Sequence, residues 1–355
     1  MLKALVILTP GFPKDEDDTT CVPAQQLFVK TLKETHPGLK IIVITFHYPH
    51  YTAKYDWHDV KVLAVGSKKK GPIFRRVEWF RAWSVLKHLN GKYRLIGLLS
   101  FWMGECAWIG DMFGRKYFVK HYCWLLGQDA KAGNKYFKKI APKGEELIAL
   151  SDFIVSEFHN NYGVAPKHII PVGIDPSLFK PTVAERTIDI IGAGALIPLK
   201  QYDVFIDIIA YLKDIFPDIN AIICGKGPEL KNLTAKIEML NLEKNLTLTG
   251  ELPHKEVLAL MQRSKIFLHT SNYEGFGLVC LEALYAGTKV VSFVRPMNER
   301  ITNWYVAPHK HNMLRIITEI LRDKNIGHQH ILPFALEDNA RAMVKLFDYK
   351  EPAMI

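Results

Sequence analysis

Short, nearly continuous apolar runs recur along the whole chain and are separated by stretches of helical length. In the first half they are Ala4–Leu8, Ile41–Phe46, Leu95–Ser100, Phe118–Leu125 and Leu147–Leu150. In the second half they are Ile188–Ile191, Ala221–Cys224, Leu246–Thr249, Ile266–His269 and Val290–Phe293. Strands with so few polar positions are buried on both faces, as in parallel sheets covered by helices. The segments between them keep the helical period. In Tyr202–Phe216 the residues Val204, Phe205, Ile208, Ile209, Leu212, Ile215 and Phe216 fall on one face, and Pro217 ends the pattern. Each half therefore reads as a Rossmann-like α/β layer.

A length of 355 residues exceeds what one core usually holds and suits two. Pro171, Gly173, Pro176 and Pro181 interrupt both patterns. They predict an N-terminal domain over 1–170, a linker over 171–182 and a C-terminal domain over 183–337, with a ligand in the cleft facing the carboxyl ends of the two sheets. The tail Leu332–Tyr349 has helical periodicity, and residues 338–355 are expected to pack back on the first domain. No apolar run is long enough for a membrane span, and the opening MLKALVILTPGFP reads as a first buried strand.

The formal charge is +10, which draws a protein to phosphates or anionic membrane surfaces. No helix-turn-helix, zinc-finger or RNA-binding signature accompanies it, so a nucleic-acid partner rests on charge alone. The five cysteines have no metal-knuckle spacing and read as reduced thiols of a cytoplasmic protein. Residues 71–92, GPIFRRVEWFRAWSVLKHLNGK, preceded by Lys68–Lys70, form a basic aromatic helix. That segment suits either an interfacial helix on anionic lipid, at the inner face of the membrane, or a core helix with a basic outer face.

Chemistry concentrates in Ser271–Gly287, SNYEGFGLVCLEALYAG. A strand ends, Glu274 follows in the loop, and a helix begins near Gly277. Gly275 and Gly277 admit a ligand close to the backbone, and the helix start favours an anion such as a diphosphate. Glu282 is the only charge between Gly275 and Gly287; a carboxylate there needs a partner, and a ribose diol offers two hydroxyls. As isolated residues the two glutamates would be an ordinary loop acid and a solvent-facing side chain.

This segment resembles the E-x(7)-E signature of the retaining GT-B glycosyltransferases, in particular glycosyltransferase family 4. PVGIDPSLFKP is similar to that family's interdomain segment. Gly192–Lys200, GAGALIPLK, is similar to its phosphate-binding stretch, Cys224–Glu229, CGKGPE, to its G-x-G-P-E turn, and Leu150–Gly163 to one of its helices. The match spans most of 150–293. The resemblance implies a two-domain α/β enzyme of the GT-B fold that moves a sugar from a nucleotide-sugar to a glycan or lipid-linked acceptor, with retention of configuration, as in polysaccharide biosynthesis. It implies Glu274 and Lys200 as catalytic, Glu282 at the ribose, and Gly275, Phe276, Gly277, Leu278, Gly194, Gly225, Gly227 and Gly11 around a UDP-, GDP- or ADP-linked donor. Asp129, in Leu126-Gly127-Gln128-Asp129, takes the acceptor side. No metal or other cofactor is implied.

The chain departs from the family at Ala195, where an arginine is usual, at Gln201 and at Leu126, where a histidine is usual. These departures keep open a catalytically weak subunit that binds sugars or partners. IDIIGAGALI also begins like a dinucleotide fingerprint, but its third glycine is replaced by Ile197 and no acid follows the next strand. Asp15-Glu16-Asp17 spells D-x-D, the metal signature of the other large glycosyltransferase fold, in a loop that reads as solvated.

Overall fold

The computed structural model describes residues 1–68, 71–180 and 185–351. Lys69 and Lys70 of the basic run, Pro181 and Thr182 of the expected linker, and the end of the tail lie outside the described residues. The chain divides into two units, Met1–Gly173 with Phe334–Ile355, and Ile174–Pro333. Residues 174–180 thus belong to the second unit rather than to a separate linker. Asp175 caps a short turn by accepting from the Ser177 amide (2.9 Å), Gln262 donates to the Lys180 carbonyl (2.8 Å), and Phe179 packs edge-on against Tyr285.

In chain order the first unit holds β1 (Lys3–Gly11), α1 (Pro23–Thr35), β2 (Lys40–Tyr48), β3 (Thr52–Trp57), β4 (Val60–Val65), α2 (Pro72–Lys92) and β5 (Arg94–Phe101). There follow α3 (Glu105–Tyr117), β6 (His121–Leu125), α4 (Phe137–Ile140), β7 (Leu147–Ala149), α5 (Asp152–Tyr162) and β8 (His168–Ile169). The strands form an eight-stranded sheet in the order β3-β4-β2-β1-β5-β6-β7-β8. All neighbours are parallel except β3 and β4, which form an antiparallel edge pair. That pair departs from the all-parallel expectation because Thr52–Trp57 alternates exposed and half-buried positions, which a search for continuous apolar runs passes over.

One sheet face is covered by α2 and α3. Ala82, Leu86 and Leu89 of α2 and Ile109 and Phe113 of α3 pack on Val6, Leu8 and Ile44. The basic aromatic helix is therefore sorted by its packing. Trp79 and Trp83 turn inward against Trp108 and Phe113. Arg75 approaches Glu105 (3.4 Å), and Arg81 donates to Thr52 (3.0 Å). Ile73 (72% exposed), Val77 (41%) and Phe80 (73%) are left on the outer face.

The second unit runs β9 (Ile188–Ala193), α6 (Tyr202–Ile215), β10 (Ala221–Cys224), α7 (Leu230–Met239), β11 (Leu246–Gly250) and α8 (His254–Gln262). It continues with β12 (Ser264–His269), α9 (Leu278–Tyr285), β13 (Lys289–Ser292), β14 (Trp304–Val306) and α10 (Lys310–Arg322). Its six strands are all parallel in the order β11-β10-β9-β12-β13-β14. The apolar face of α6 is buried as its period predicts, with Phe205, Ile208, Ile209 and Leu212 fully inaccessible. Each such side chain contributes about 1.5–3 kcal/mol. The chain then returns to the first unit through α11 (Leu336–Lys345), which lies against α1. Asn339 donates to the Pro171 carbonyl (2.9 Å), and the Phe347 ring occupies the space where a side chain at Gly97 would stand.

Candidate active site

In a parallel α/β sheet ligands gather at the carboxyl ends of the strands. In the second unit the turns after β9, β10, β11 and β12 meet at that edge. The turn after β9 bends at Gly194 (φ 148°) and ends in a short helical turn, Pro198–Lys200. Thr270, just past β12, donates to the Lys200 carbonyl (2.8 Å) and fixes the lysine's backbone. The Lys200 ammonium lies 2.6 Å from Glu274 Oε2, with the two side chains 17% and 24% exposed. The two residues assigned separate tasks from the sequence thus form an ion pair with each other.

His269, the last residue of β12, is buried, and its Nε2 stands 3.4 Å from the same Glu274 oxygen, outside hydrogen-bond alignment. Burial pushes the Glu274 carboxyl up, but the His269 imidazole and the Lys200 charge outweigh it and bring the pKa down to about 2. Burial also pushes His269 down from its ordinary value, toward the neutral imidazole. Glu274 is therefore a fixed carboxylate at neutral pH, suited to accept hydrogen bonds rather than to deliver a proton.

Gly277, with φ 88°, begins α9. The first helical hydrogen bond runs from the Cys280 amide to the Gly277 carbonyl (2.8 Å), so the amides of Leu278 and Val279 precede the ladder and point along the helix start. A β-carbon on Gly277 would come within 3.3 Å of both Glu274 Cγ and Cys280 Sγ. The ring of Phe276, a residue expected at the donor, is 2% exposed and packs on Trp304, which anchors this loop. Gly275 is buried beside it.

Gly225 and Gly227 lie in the turn after β10. The turn after β10 lies directly on the turn after β9. The Gly194 amide donates to the Cys224 carbonyl (2.9 Å), the Leu196 amide to the Lys226 carbonyl (2.9 Å), and the Glu229 amide to the Leu196 carbonyl (3.1 Å). A β-carbon on Gly225 would meet the Gly194 carbonyl at 1.9 Å, and one on Gly227 the Leu196 carbonyl at 2.3 Å. Backbone-on-backbone packing therefore requires glycine at both positions. Gly194 faces the side chains, with the Tyr202 hydroxyl and Lys200 Cε next to its α-carbon.

Glu282 sits one turn into α9, 12% exposed, and accepts from His254 Nε2 at 2.8 Å. His254 opens α8, and the Glu282 carboxylate raises its pKa. Nothing in the sequence pattern singled out His254 or His269. A separate hollow of about 550 Å³ opens along β14, with Arg295, Arg300, Trp304 and Arg315 in its wall, and includes none of Lys200, Glu274 or Glu282. Among the described residues no cluster of three or more His, Cys, Asp or Glu side chains is arranged to hold a metal ion.

Residues 174–332, almost all of this unit, match the family described as "Glycosyl transferases group 1". One of the subunits of human phosphatidylinositol N-acetylglucosaminyltransferase is 36% identical over 126 residues, which are 35% of this chain and 26% of that protein. The MMP α-(1→4)-mannosyltransferase of Mycolicibacterium hassiacum is 29% identical over 163 residues, 44% of this chain and 38% of that protein. The chain thus aligns with well under half the length of these relatives. Among solved structures, the Anabaena protein HepE in complex with UDP superposes with a TM-score of 0.67 at 17% identity, over 98% of this chain and 97% of that one. A glycosyltransferase from Rickettsia africae gives 0.68 at 15% identity, over 97% and 94%. The fold is that of the GT-B glycosyltransferases.

The matched residues contain the Lys200–Glu274 pair, Glu282 and the α9 start. Gly11 and Asp129 belong to the first unit. Gly11 ends β1 with Cys21 and Tyr48 over its α-carbon. Asp129, expected at the acceptor, is buried and accepts from the amides of Met103 (2.8 Å), Leu126 (3.1 Å) and Gly127 (2.9 Å). Burial pushes it up to about 6 against those hydrogen bonds, and its geometry is that of a loop organiser. In Asp15–Asp17 the acids are exposed and serve the loop itself, with Asp15 accepting from the Asp18 amide (2.9 Å) and Glu16 from the His58 amide (3.0 Å).

Proposed function

We propose that the protein is a retaining, metal-independent glycosyltransferase that moves a sugar from a nucleotide-sugar to a glycan or lipid-linked acceptor. The observation that carries this reading is the Lys200–Glu274 pair at the carboxyl edge of the sheet, beside the start of α9. As the sugar–phosphate bond breaks, negative charge grows on the leaving diphosphate. A fixed ammonium and helix-start amides in a half-buried site stabilise that charge without reorganising. The ammonium carries three protons, so it can hold a phosphate oxygen while keeping Glu274. The carboxylate, locked in its ionised form, accepts from sugar hydroxyls and sets the sugar's orientation, where small errors are costly. Glu282 accepts from the ribose.

UDP is the first donor nucleotide to test, since HepE was crystallised with it. UDP, GDP and ADP are compared by thermal shift, a ligand at 100 times its Kd adding about 2.7 kcal/mol of apparent stability. The site assignment is tested by Glu→Gln variants. Glu282→Gln should raise the donor KM more than it lowers kcat, and Glu274→Gln should lower kcat with less change in nucleotide affinity. Exchanged behaviours would mean that the donor lies the other way round. Ala195 supplies no second cation beside Lys200, which favours one other reading: tight nucleotide binding with neither transfer nor donor hydrolysis would identify a binding protein without transferase activity.

The acceptor is taken by the first unit. A lipid-linked acceptor is supported by the outer face of α2, where Ile73, Val77 and Phe80 lie at helical spacing among exposed Arg75, Arg76 and Lys87. Apolar side chains rimmed by cations suit the surface of an anionic bilayer. No helix among the described residues is long and apolar enough to cross a membrane.

A further inference from the structure

We infer that His254 is the positioning residue that sets Glu282 for the ribose diol, and through it the preference of the site for ribose over deoxyribose. This rests on the reading of Glu282 as the ribose acceptor.

Two neighbouring hydroxyls donate to one carboxylate only if its plane and its free lone pairs face them. A glutamate side chain has three rotatable bonds, and ordering such a chain costs up to about 2 kcal/mol. Among the described residues, His254 is the one donor that reaches the Glu282 carboxylate, at 2.8 Å. It engages Oε1.

Topology explains why His254 can do this. β11, β10, β9 and β12 are parallel, so the turn after β11 emerges at the same edge as Lys200 and Glu274. Gly250, with φ 73°, turns the chain out of β11, Pro253 caps the next helix, and His254 is its first residue, packed toward α9. An imidazole is suited to the task. It is rigid beyond χ2 and donates a single planar hydrogen bond from Nε2, whereas a lysine or arginine could occupy both oxygens. A cation on the first turn of a helix is opposed by the helix dipole. The Glu282 carboxylate compensates for this, so each side chain holds the other.

The competing view is a half-exposed ion pair that pins α8 to α9, with the His254 side chain 54% exposed. Such pairs are worth at most about 1 kcal/mol and would leave sugar selectivity untouched. The two views part in one measurement. The best-binding of UDP, GDP and ADP, and its 2′-deoxy counterpart, are titrated calorimetrically into the full chain and into Glu282→Gln, His254→Ala and His254→Gln. The unsubstituted protein should prefer the ribonucleotide roughly 10- to 100-fold, the value of one hydrogen bond to a charged acceptor. His254→Ala should reduce the preference to about threefold or less, and His254→Gln, which restores an N–H donor of similar reach, should recover most of it. Donor kinetics should show the loss in KM rather than in kcat. A full preference in His254→Ala, with loss of it in Glu282→Gln, overturns the positioning role and leaves the ribose assignment standing. No preference in the unsubstituted protein, or none of the three nucleotides binding, overturns the assignment itself and the inference with it.

Discussion

Replacing Lys200 with methionine removes the ammonium that lies 2.6 Å from Glu274 and keeps most of the stem's volume. Two unit charges at that distance attract by about 6 kcal/mol at an effective dielectric near 20. Desolvation of both groups offsets much of this. The Glu274 pKa bounds what is left. A fall from 4.5 to about 2 corresponds to about 3 kcal/mol of preferential stabilisation of the carboxylate, shared between Lys200 and His269. The expected coupling between Lys200 and Glu274 is therefore at most about 3 kcal/mol. The assay is a double-mutant cycle of Lys200→Met, Glu274→Gln and the double variant, by urea unfolding of the full chain at pH 7. Lys200→Met alone should be the least stable, because it strands a buried carboxylate, and the added Glu274→Gln should restore part of the loss. The folded-state pKa of Glu274 lies below its unfolded value. The stabilisation is therefore full above about pH 4.5 and disappears as the pH falls through about 2. Single-variant effects that simply add, within about 0.5 kcal/mol at pH 7, would refute the pair as an energetic unit.

Gly225→Ala should lower stability by several kcal/mol or prevent soluble expression, since its β-carbon would overlap the Gly194 carbonyl; a normally folded variant with only weaker donor binding would contradict the packing role. Asp129→Ala should cost about 3 kcal/mol in thermal unfolding by stranding the amides of Met103, Leu126 and Gly127. Donor turnover should survive EDTA, and manganese-restored activity would reverse the metal-independent reading. The protein should sediment with anionic vesicles but not with neutral ones, and joint replacement of Ile73, Val77 and Phe80 by serine should abolish this; equal binding by that variant would remove α2 from the membrane reading.

The apolar strands, the α6 face and the start of α9 could be read from the sequence because each reflects burial over consecutive residues. Glu274, Glu282 and Lys200 stood out in the sequence for another reason, their place between strand ends, glycines and helix starts. Their partners were not. His254 is 28 residues from Glu282, and Lys200 is 74 from Glu274, so neither pairing leaves a local pattern. Phe276 and Gly225 show a second limit. A glycine-rich turn requires close approach but does not say what approaches, and here the neighbouring turn is one such partner. Thr52–Trp57 and Trp304–Val306 escaped as strands because one alternates with solvent and the other is three residues long.

The stacking of the β9 and β10 turns limits how this protein can be re-engineered. Three shared hydrogen bonds and two positions with no room for a side chain make residues 192–200 and 224–229 a single exchangeable cassette. A graft of either segment alone from another glycosyltransferase would bring a surface shaped for a different counterpart. Donor specificity is better altered from the α8 and α9 side, where the contact is between side chains and can be changed one residue at a time.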